Sequence, residues 1–342
     1  MEATRKLALH LNVRQEKGRH MRNTEWFADC GWGVFCHYLA ALPSTRDGVT
    51  VTAEEWNQQV DSFDVVGLAR QLKSVNAKYF IITIGQGSGH YCAPNDTYDK
   101  LTGISPSKCS RRDLISDIHA QLEPLGIKLF VYSASEISWG DAEARIGLKM
   151  THHHSDPDSG GTKIWQKHRQ VAFMENIEAI HQEWAKRWGK KISGWWIDGC
   201  YEANYRFLDE EPPNFETLAV ALRVGNPNAI VAFNPGVLLP VICHTVHEDY
   251  TAGEISTALP QCPGSWVEKD GHKARYHILS YLGDWWCKGE PRFPDALVAG
   301  YTEHITSKGG VITWDVPILK TGLIPETFIN QLRSIGQHMQ NH

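Results

Sequence analysis

The sequence predicts an α/β fold, a single-domain (β/α)8 barrel of the TIM type. Short apolar segments typical of buried parallel strands alternate with amphipathic segments typical of helices, and eight such strands can be counted. No G-x-G-x-x-G sequence follows a strand and no phosphate-binding loop sequence is present, which disfavours a nucleotide-binding sheet. The chain, residues 1–342, is therefore expected to be one domain with its core over about residues 26–340.

Most of the predicted strands are short apolar runs rich in Val, Ile, Phe, Tyr and Trp, as expected for strands buried on both faces. The first five are GVFCH at 33–37, YFIITI at 79–84, LFVYS at 129–133, WWID at 195–198 and IVAFN at 230–234. The last three are TVHEDY at 245–250, HILSYL at 277–282 and VITWD at 311–315.

Amphipathic segments between these strands predict helices at 65–75, 112–125, 164–188, 215–223, 294–307 and 325–339. Asp113 and the pair Pro325-Glu326 are typical of helix starts, and Gly126 and Gly189 are expected to end the helices before the third and fourth strands. The connections after the first and sixth strands are less clearly helical.

The composition disfavours several classes of function. A net charge of −5 with scattered Lys and Arg argues against a nucleic-acid partner, and no apolar run is long enough to cross a membrane. The 8 cysteines contain no C-x-x-C pair, so neither a zinc ribbon nor a thioredoxin-like motif is indicated. The first residues lack the apolar core of a signal peptide. The chain as it stands is thus expected to be cytoplasmic, or secreted or periplasmic if processed, and its oligomeric state stays open.

Polar side chains follow the predicted strands at their carboxyl ends, which converge on one pocket in a barrel. The most informative stretch is GWWIDG at 194–199, where an apolar run ends in the carboxylate of Asp198 followed by glycine. An acid at that edge is a catalytic candidate, although a helix or turn cap is equally consistent with this motif alone. Other side chains at these ends are His37, His90, Tyr91, Glu136, Asn234, Glu254, Trp285, Trp314 and Asp315.

Two kinds of chemistry suit a pocket rich in carboxylates and imidazoles. Glycoside hydrolysis uses one protonated and one ionised carboxyl group, and 13 tryptophans are consistent with stacking on sugar rings. Metal-dependent hydrolysis in barrel enzymes uses a His-x-His pair after the first strand, but His37 is followed by Tyr38 and Leu39. The histidines at 152–154 lie in a loop rich in Ser, Asp and Gly and are expected to be solvated. We therefore expect no metal and no cofactor.

Several motifs occur in a characteristic order along residues 26–340. They are WF at 26–27, GVFCH at 33–37, RDL at 112–114, WWIDG at 195–199, DYTAGE at 249–254, SKGG at 307–310 and GLIP at 322–325. In order and spacing they resemble glycoside hydrolase family 29, the retaining α-L-fucosidases. The resemblance implies a barrel glycosidase whose nucleophile strand is WWIDG.

Three segments depart from the family pattern, and they touch the subsite that would hold the sugar. GQGSGHY at 85–91 stands where the family has KHHDGF, which leaves His90 as one candidate histidine of two. Tyr38 stands in place of a tryptophan, and ITWDVP at 312–317 replaces LLNVGP and places an extra acid, Asp315, at the rim. The C-terminal β-sandwich common in the family is not expected, because the chain ends after its last barrel helix.

The resemblance and the strand-end residues together suggest a retaining exo-glycoside hydrolase of the α-L-fucosidase type. Asp198 would attack the anomeric carbon and form a covalent glycosyl-enzyme, which water then hydrolyses. Glu254 is the first candidate for the acid/base, because it follows the sixth strand, and Glu268 is the second. The predicted substrate-binding residues are His37, Tyr38, His90, Tyr91, Glu136, Trp196, Asn234, Trp285, Trp314 and Asp315.

Two alternatives remain open. One is a glycosidase for a related sugar, such as an α-L-galactoside. The other is a catalytically silent carbohydrate-binding barrel. In each case the expected partner is a carbohydrate.

Overall fold

Seven parallel strands form one curled sheet in the computed structural model, which describes residues 22–40, 51–153, 169–201 and 211–341. The strands are β1 (Trp32–Cys36), β2 (Tyr79–Thr83), β3 (Lys128–Ala134), β4 (Gly194–Asp198), β5 (Ile230–Phe233), β6 (Trp266–Lys269), β7 (His272–Arg275), β8 (His277–Tyr281) and β9 (Val311–Asp315). The order in the sheet is β5-β4-β3-β2-β1-β9-β8, whereas β6 and β7 form a separate antiparallel hairpin. Seven of the eight predicted strands are thereby confirmed, with ends that differ by at most one residue.

Helices connect the strands and cover the outside of the sheet. They are α1 (Glu25–Cys30), α2 (Ala53–Asp61), α3 (Val65–Ser74), α4 (Asp96–Thr102), α5 (Leu114–Leu122), α6 (Ala142–Leu148), α7 (Val171–Trp188), α8 (Phe215–Arg223), α9 (Asp295–Thr306) and α10 (Glu326–Asn341). Within the described ranges, none of them is both long enough and apolar enough to cross a membrane.

Local sequence signals set several helix ends. Asp113 caps α5 by accepting the backbone N–H of Ser116 at 3.0 Å, as predicted. Gly126, with φ +70°, ends the 3₁₀ turn that follows α5. The predicted helix at 164–188 is confirmed over α7, and residues 164–168 lie outside the described part of the chain. The helices α1, α2, α4 and α6 were not predicted. Three of them have only six or seven residues and therefore little periodicity, whereas α2 has nine residues and a capping box of Thr52 and Glu55 that the prediction did not use.

The predicted sixth strand, 245–250, is wrong. Buried carboxylates accept several of the backbone N–H groups there and on the facing edge of β5. The carboxylate of Glu248 accepts the backbone N–H of His244 at 2.7 Å, and that of Asp249 accepts the N–H of Val231 at 2.9 Å. Because side chains occupy these hydrogen-bonding positions, no regular ladder forms over this segment.

The segment 249–255 nevertheless runs between β5 and β8. Its Asp249 N–H donates to the Val231 carbonyl of β5 at 2.8 Å, and an isolated bridge joins Glu254 to Leu279 of β8. The structure therefore shows a seven-stranded parallel sheet of the barrel type with one irregular segment beside its edges, and not a regular eight-stranded barrel.

Side chains alternate along each strand and divide the core into an inner and an outer part. Phe27 of α1 closes the inner part, with its ring 5.2 Å from that of Tyr79 and 5.3 Å from that of Phe130. On the outer side, Trp195 of β4 packs against Trp188 of α7 with 5.9 Å between ring centroids. A fully buried aromatic side chain of this kind contributes about 1.5–3 kcal/mol to the free energy of unfolding.

Replacing Asp249 by Ala is expected to lower the free energy of unfolding by about 3–5 kcal/mol. The change removes the buried carboxylate partner of Arg223, 2.5 Å away, and the acceptor of the Val231 N–H. Urea unfolding measures the loss. Asp29→Ala is the control, since Asp29 is exposed on α1 and a change within about 0.5 kcal/mol is expected there. Equal effects of the two substitutions would contradict the anchoring role of Asp249.

Candidate active site

A pocket of about 370 Å³ lies at the carboxyl ends of the strands. It is lined by Phe35, His37, Gln86, Tyr132, Trp196, Asp198, Tyr201, Glu254, Leu279, Trp285 and Trp286. A second cavity of about 340 Å³ beside Trp139 and Ile146 has neither a carboxylate nor a histidine in its lining. The first cavity is therefore the candidate active site.

Asp198, at the end of β4, accepts hydrogen bonds from three side chains. The hydroxyl of Tyr132 donates to Oδ2 at 2.6 Å, and Nδ2 of Asn234 donates to Oδ1 at 2.9 Å. The hydroxyl of Tyr201 donates to Oδ1 at 3.4 Å. The charge of Asp198 and then burial raise the pKa of Tyr201 well above its usual range, so this hydroxyl keeps its proton and remains a donor. The three donors fix the orientation of the carboxylate.

Glu254 shares one amide group with Asp198. Nδ2 of Asn234 donates to Glu254 Oε2 at 2.6 Å and to Asp198 Oδ1 at 2.9 Å. The two oxygens cannot be farther apart than the sum of these distances. The carboxyl groups are about 5–5.5 Å apart in retaining glycosidases and roughly 6.5–9.5 Å apart in inverting ones, so this limit on one pair of oxygens favours the shorter spacing. Burial, and then the charge of Asp198, raise the pKa of Glu254 to about 7. Glu254 can therefore hold a proton near neutral pH.

Aromatic rings form one wall of the pocket. Tyr132 stacks on Trp196 with 5.3 Å between centroids and 15° between planes, and Phe35 stacks on Tyr132 at 5.6 Å. The amide of Gln86 donates to the Tyr132 hydroxyl at 2.6 Å, which leaves the hydroxyl proton for Asp198. The wall is thus an apolar surface with a fixed polar edge.

Two tryptophans lie at the rim, on the loop after β8. Trp285 lines the pocket and is 46% exposed, so its ring is available to solvent and ligand. Trp286 packs against Tyr281 at 4.8 Å and against the ring of His37 at 6.1 Å. An exposed indole beside a pocket is well suited to stacking on the C–H face of a sugar.

His37, just after β1, is paired with a carboxylate behind the pocket lining. Its Nδ1 is 2.8 Å from Oδ1 of Asp315, and the backbone N–H of Cys287 donates to Oδ2 of Asp315 at 2.7 Å. Burial raises the pKa of Asp315, while His37 acts in the opposite direction. Asp315 is completely buried, so any effect on a ligand passes through its neighbours.

Three predicted substrate-binding residues lie in the core and do not line the pocket. Tyr38 is buried, and its hydroxyl donates to the carbonyl of Lys320 at 3.1 Å. Tyr91 is fully buried, and so is Trp314, whose indole N–H donates to Thr302 Oγ1 at 3.0 Å. The contacts of these three residues are those of side chains packed in the core.

Three further predicted residues also lie away from the pocket. His90 is buried beside Trp56, with 6.2 Å between the rings, and Glu136 pairs with His153 at 3.1 Å. Glu268 is exposed on β6, in the hairpin that leads into the amino end of β8. Of the two acid/base candidates, Glu254 is the one that lines the pocket.

The histidines at 152–154 were expected to be solvated. That expectation is wrong for His153, which is buried and stacks on Trp139 with 4.8 Å between the rings. His154 lies outside the described residues. Within the ranges that the structure describes, no three His, Cys, Asp or Glu side chains are grouped so that they could hold a metal ion.

Several pocket residues were not predicted from the sequence. They are Phe35, Gln86, Tyr132, Tyr201, Leu279 and Trp286. Tyr132 faces Trp196 in the strand register, and strand alternation could have identified it. Gln86 and Tyr201 lie in loops, where no periodic signal exists.

Comparisons with known proteins bear on the fold. No family model and no curated protein matches the chain. An endo-fucoidan hydrolase of glycoside hydrolase family 107 superposes with a TM-score of 0.66 at 16% identity, over 92% of this chain and 92% of that one. An α-L-fucosidase from Paenibacillus thiaminolyticus superposes with a TM-score of 0.63 at 19% identity, over 93% of this chain and 75% of that one. A family 29 α-L-fucosidase from Bacteroides thetaiotaomicron superposes with a TM-score of 0.61 at 15% identity, over 93% of this chain and 73% of that one. The chain spans about half, 53% and 54%, of two further family 107 structures.

The chain has the fold of these glycoside hydrolases. Because families 107 and 29 share that fold, the similarity does not select family 29, which the sequence motifs resemble. At such low identity the similarity concerns the fold, and function has to be argued from the pocket.

Replacing Asp198 by Asn is expected to lower the pKa of Glu254 from about 7, because the charge that opposes a second negative charge is removed. ¹³C NMR of side-chain-labelled glutamate measures the titration, and Glu254→Gln identifies the signal. Asp61→Asn, at an exposed position of α2, is the matched control and should leave the titration unchanged. An unaltered pKa in the Asp198→Asn protein would contradict the electrostatic coupling.

Proposed function

We propose that the protein is a retaining exo-glycoside hydrolase that acts on α-L-fucosides, with Asp198 as the nucleophile and Glu254 as the acid/base. The observation that carries the proposal is the Asn234 amide, which contacts both carboxyl groups. It limits the distance between an oxygen of Asp198 and an oxygen of Glu254, which supports the short carboxyl separation of the covalent, two-step mechanism.

The reaction follows from the two environments. In the first step, Asp198 attacks the anomeric carbon, the glycosidic bond breaks, and Glu254 gives its proton to the departing oxygen. In the second step, Glu254 takes a proton from water, the water oxygen attacks the same carbon, and the bond to Asp198 breaks. The sugar is released with its original anomeric configuration.

A 6-deoxy sugar fits the mixed lining of the pocket. Phe35, Leu279 and Trp196 offer apolar surface beside the two carboxyl groups, and a methyl group at C5 can be buried there without a polar partner. A galactoside would place a hydroxyl against the same surface. The neighbours of known structure are described as α-L-fucosidases and endo-fucoidan hydrolases, which supports fucose over other sugars.

We further propose that the irregular segment 249–255 stands in for the eighth strand of the barrel and that the chain is one catalytic domain. The Asp249 N–H to the Val231 carbonyl and the bridge from Glu254 to Leu279 support this reading, because they join the segment to both edges of the sheet.

The first test is a panel of aryl α- and β-glycosides, with the α-L-fucoside and the α-L-galactoside among them. We expect release of the aglycone from the α-L-fucoside, and a loss of roughly 10³-fold or more in kcat for Asp198→Asn. Asp61→Asn should behave as the unmodified protein. Binding of fucose without turnover would support a silent binding protein, and products longer than a monosaccharide from fucose-containing oligosaccharides would show endo cleavage.

Azide separates the two carboxyl roles. In Asp198→Gly, azide should replace the missing nucleophile and form the β-fucosyl azide from an activated α-fucoside. In Glu254→Ala, azide should intercept the glycosyl-enzyme and form the α-fucosyl azide, since it needs no general base. NMR identifies the anomers. Glu268→Ala, which changes an exposed glutamate on β6, should give neither product. The opposite pairing of variants and anomers would overturn the assignment.

The pH dependence should report the acid. Because the pKa of Glu254 is raised to about 7, this group is protonated below that pH, and hydrolysis of substrates with poor leaving groups should fall as the pH rises through 7. For a dinitrophenyl glycoside, whose leaving group needs no proton, the first step should lack this descending limb. Single-turnover release across pH 5–9 measures both. A limb of equal size for both substrates would argue against Glu254 as the acid.

A further inference from the structure

The pair His37–Asp315 is a feature that the two-carboxyl mechanism leaves unused. Asp315 is completely buried at the end of β9, and both of its oxygens are engaged. Oδ1 meets Nδ1 of His37 at 2.8 Å, and Oδ2 accepts the backbone N–H of Cys287 at 2.7 Å. His37 and the neighbours of Cys287, Trp285 and Trp286, line the pocket. One buried carboxyl group therefore contacts two parts of the pocket wall.

The chemistry of a carboxylate defines the state of the imidazole. An ionised carboxylate can accept but cannot donate, so Nδ1 of His37 carries the proton of that contact. In a neutral imidazole the other nitrogen, Nε2, then holds a lone pair. Since Nδ1 is taken by Asp315, Nε2 is the polar ring atom that His37 has for a ligand in the pocket.

The second contact acts on the rim loop. Cys287 has φ +55°, a left-handed conformation that a residue other than glycine keeps only where its surroundings hold it. The hydrogen bond from its N–H to Asp315 supplies such a restraint. It thereby fixes the backbone directly after the two pocket tryptophans.

We propose that Asp315 is a positioning residue for sugar recognition: it fixes the tautomer and orientation of His37, so that Nε2 accepts a hydrogen bond from a sugar hydroxyl, and it holds the loop of Trp285 and Trp286 against the same sugar. This inference rests on the proposed function for the identity of the ligand. Asp315 touches no substrate itself and acts through these neighbours.

Asp315→Asn is the decisive variant, because it keeps the size of the side chain and reverses the direction of the hydrogen bond with His37 Nδ1. The amide oxygen can still accept the Cys287 N–H, while the amide nitrogen donates to Nδ1 and moves the ring proton to Nε2. We expect KM for an aryl α-L-fucoside to rise roughly tenfold, the effect of one lost hydrogen bond, with a smaller change in kcat. Asp315→Ala removes both contacts and should raise KM further. Asp61→Asn is the control.

Long-range ¹H–¹⁵N NMR of the free protein, assigned with His37→Gln, reads the tautomer without any substrate. We expect a proton on Nδ1 in the unmodified protein and on Nε2 in Asp315→Asn. A lone pair on Nδ1 in the unmodified protein, or an unchanged KM in both Asp315 variants, would overturn the proposal while leaving the glycosidase assignment intact. If the aryl fucosides are not hydrolysed at all, the proposed function fails, and the NMR result together with calorimetry of L-fucose binding still decides the role of Asp315.

Discussion

The amide of Asn234 limits the distance between an oxygen of Asp198 and an oxygen of Glu254, and the proposed mechanism depends on that distance. The sheet holds Asn234 in place, because its backbone N–H donates to the Ile197 carbonyl at 2.8 Å. Its side-chain oxygen accepts the N–H of Gly236 at 3.1 Å, which orients the amide so that its nitrogen is directed at the acids. A side chain with two N–H groups can serve two acceptors at once. The pairing of β4 with β5 thus fixes the position of Asn234 relative to Asp198.

Buried carboxylates have a second role where the sheet is irregular. Glu248 and Asp249 accept backbone N–H groups of residues 244, 233 and 231, at positions where a strand would have supplied carbonyls. Burial raises the pKa of Glu248 to about 8, so its charged form is disfavoured in this position. Its carboxyl group still satisfies backbone N–H groups that would otherwise be buried without a partner. The segment that carries Glu254 is therefore anchored by side chains at its start and by β8 at its end.

Strand positions were predictable from the sequence, because apolar runs have a strong signal, and Asp198 and Asn234 at the ends of β4 and β5 followed from them. The side of the sheet to which each strand side chain points was also predictable from alternation along the strand, although the site predictions did not use it. His37 and Phe35 share one parity and point inward, whereas Tyr38 lies one residue out of phase and is in the outer core. The same alternation places Trp314 outward. Gln86 and Tyr201 could not have been found in this way, since a loop has no period that determines which side chains turn inward.

The contacts around the two acids also favour the different charge states that the proposed mechanism gives to Asp198 and Glu254. The Asn234 amide donates to both, so it favours the charged form of each and cannot distinguish them. The difference comes from the other contacts: two tyrosine hydroxyls donate to Asp198, while Glu254 lies beside the apolar Leu279. Two adjacent carboxyl groups resist carrying two charges, and the charge is best placed on the one with more donors. The proton is then favoured on Glu254, which agrees with its proposed role as the acid/base.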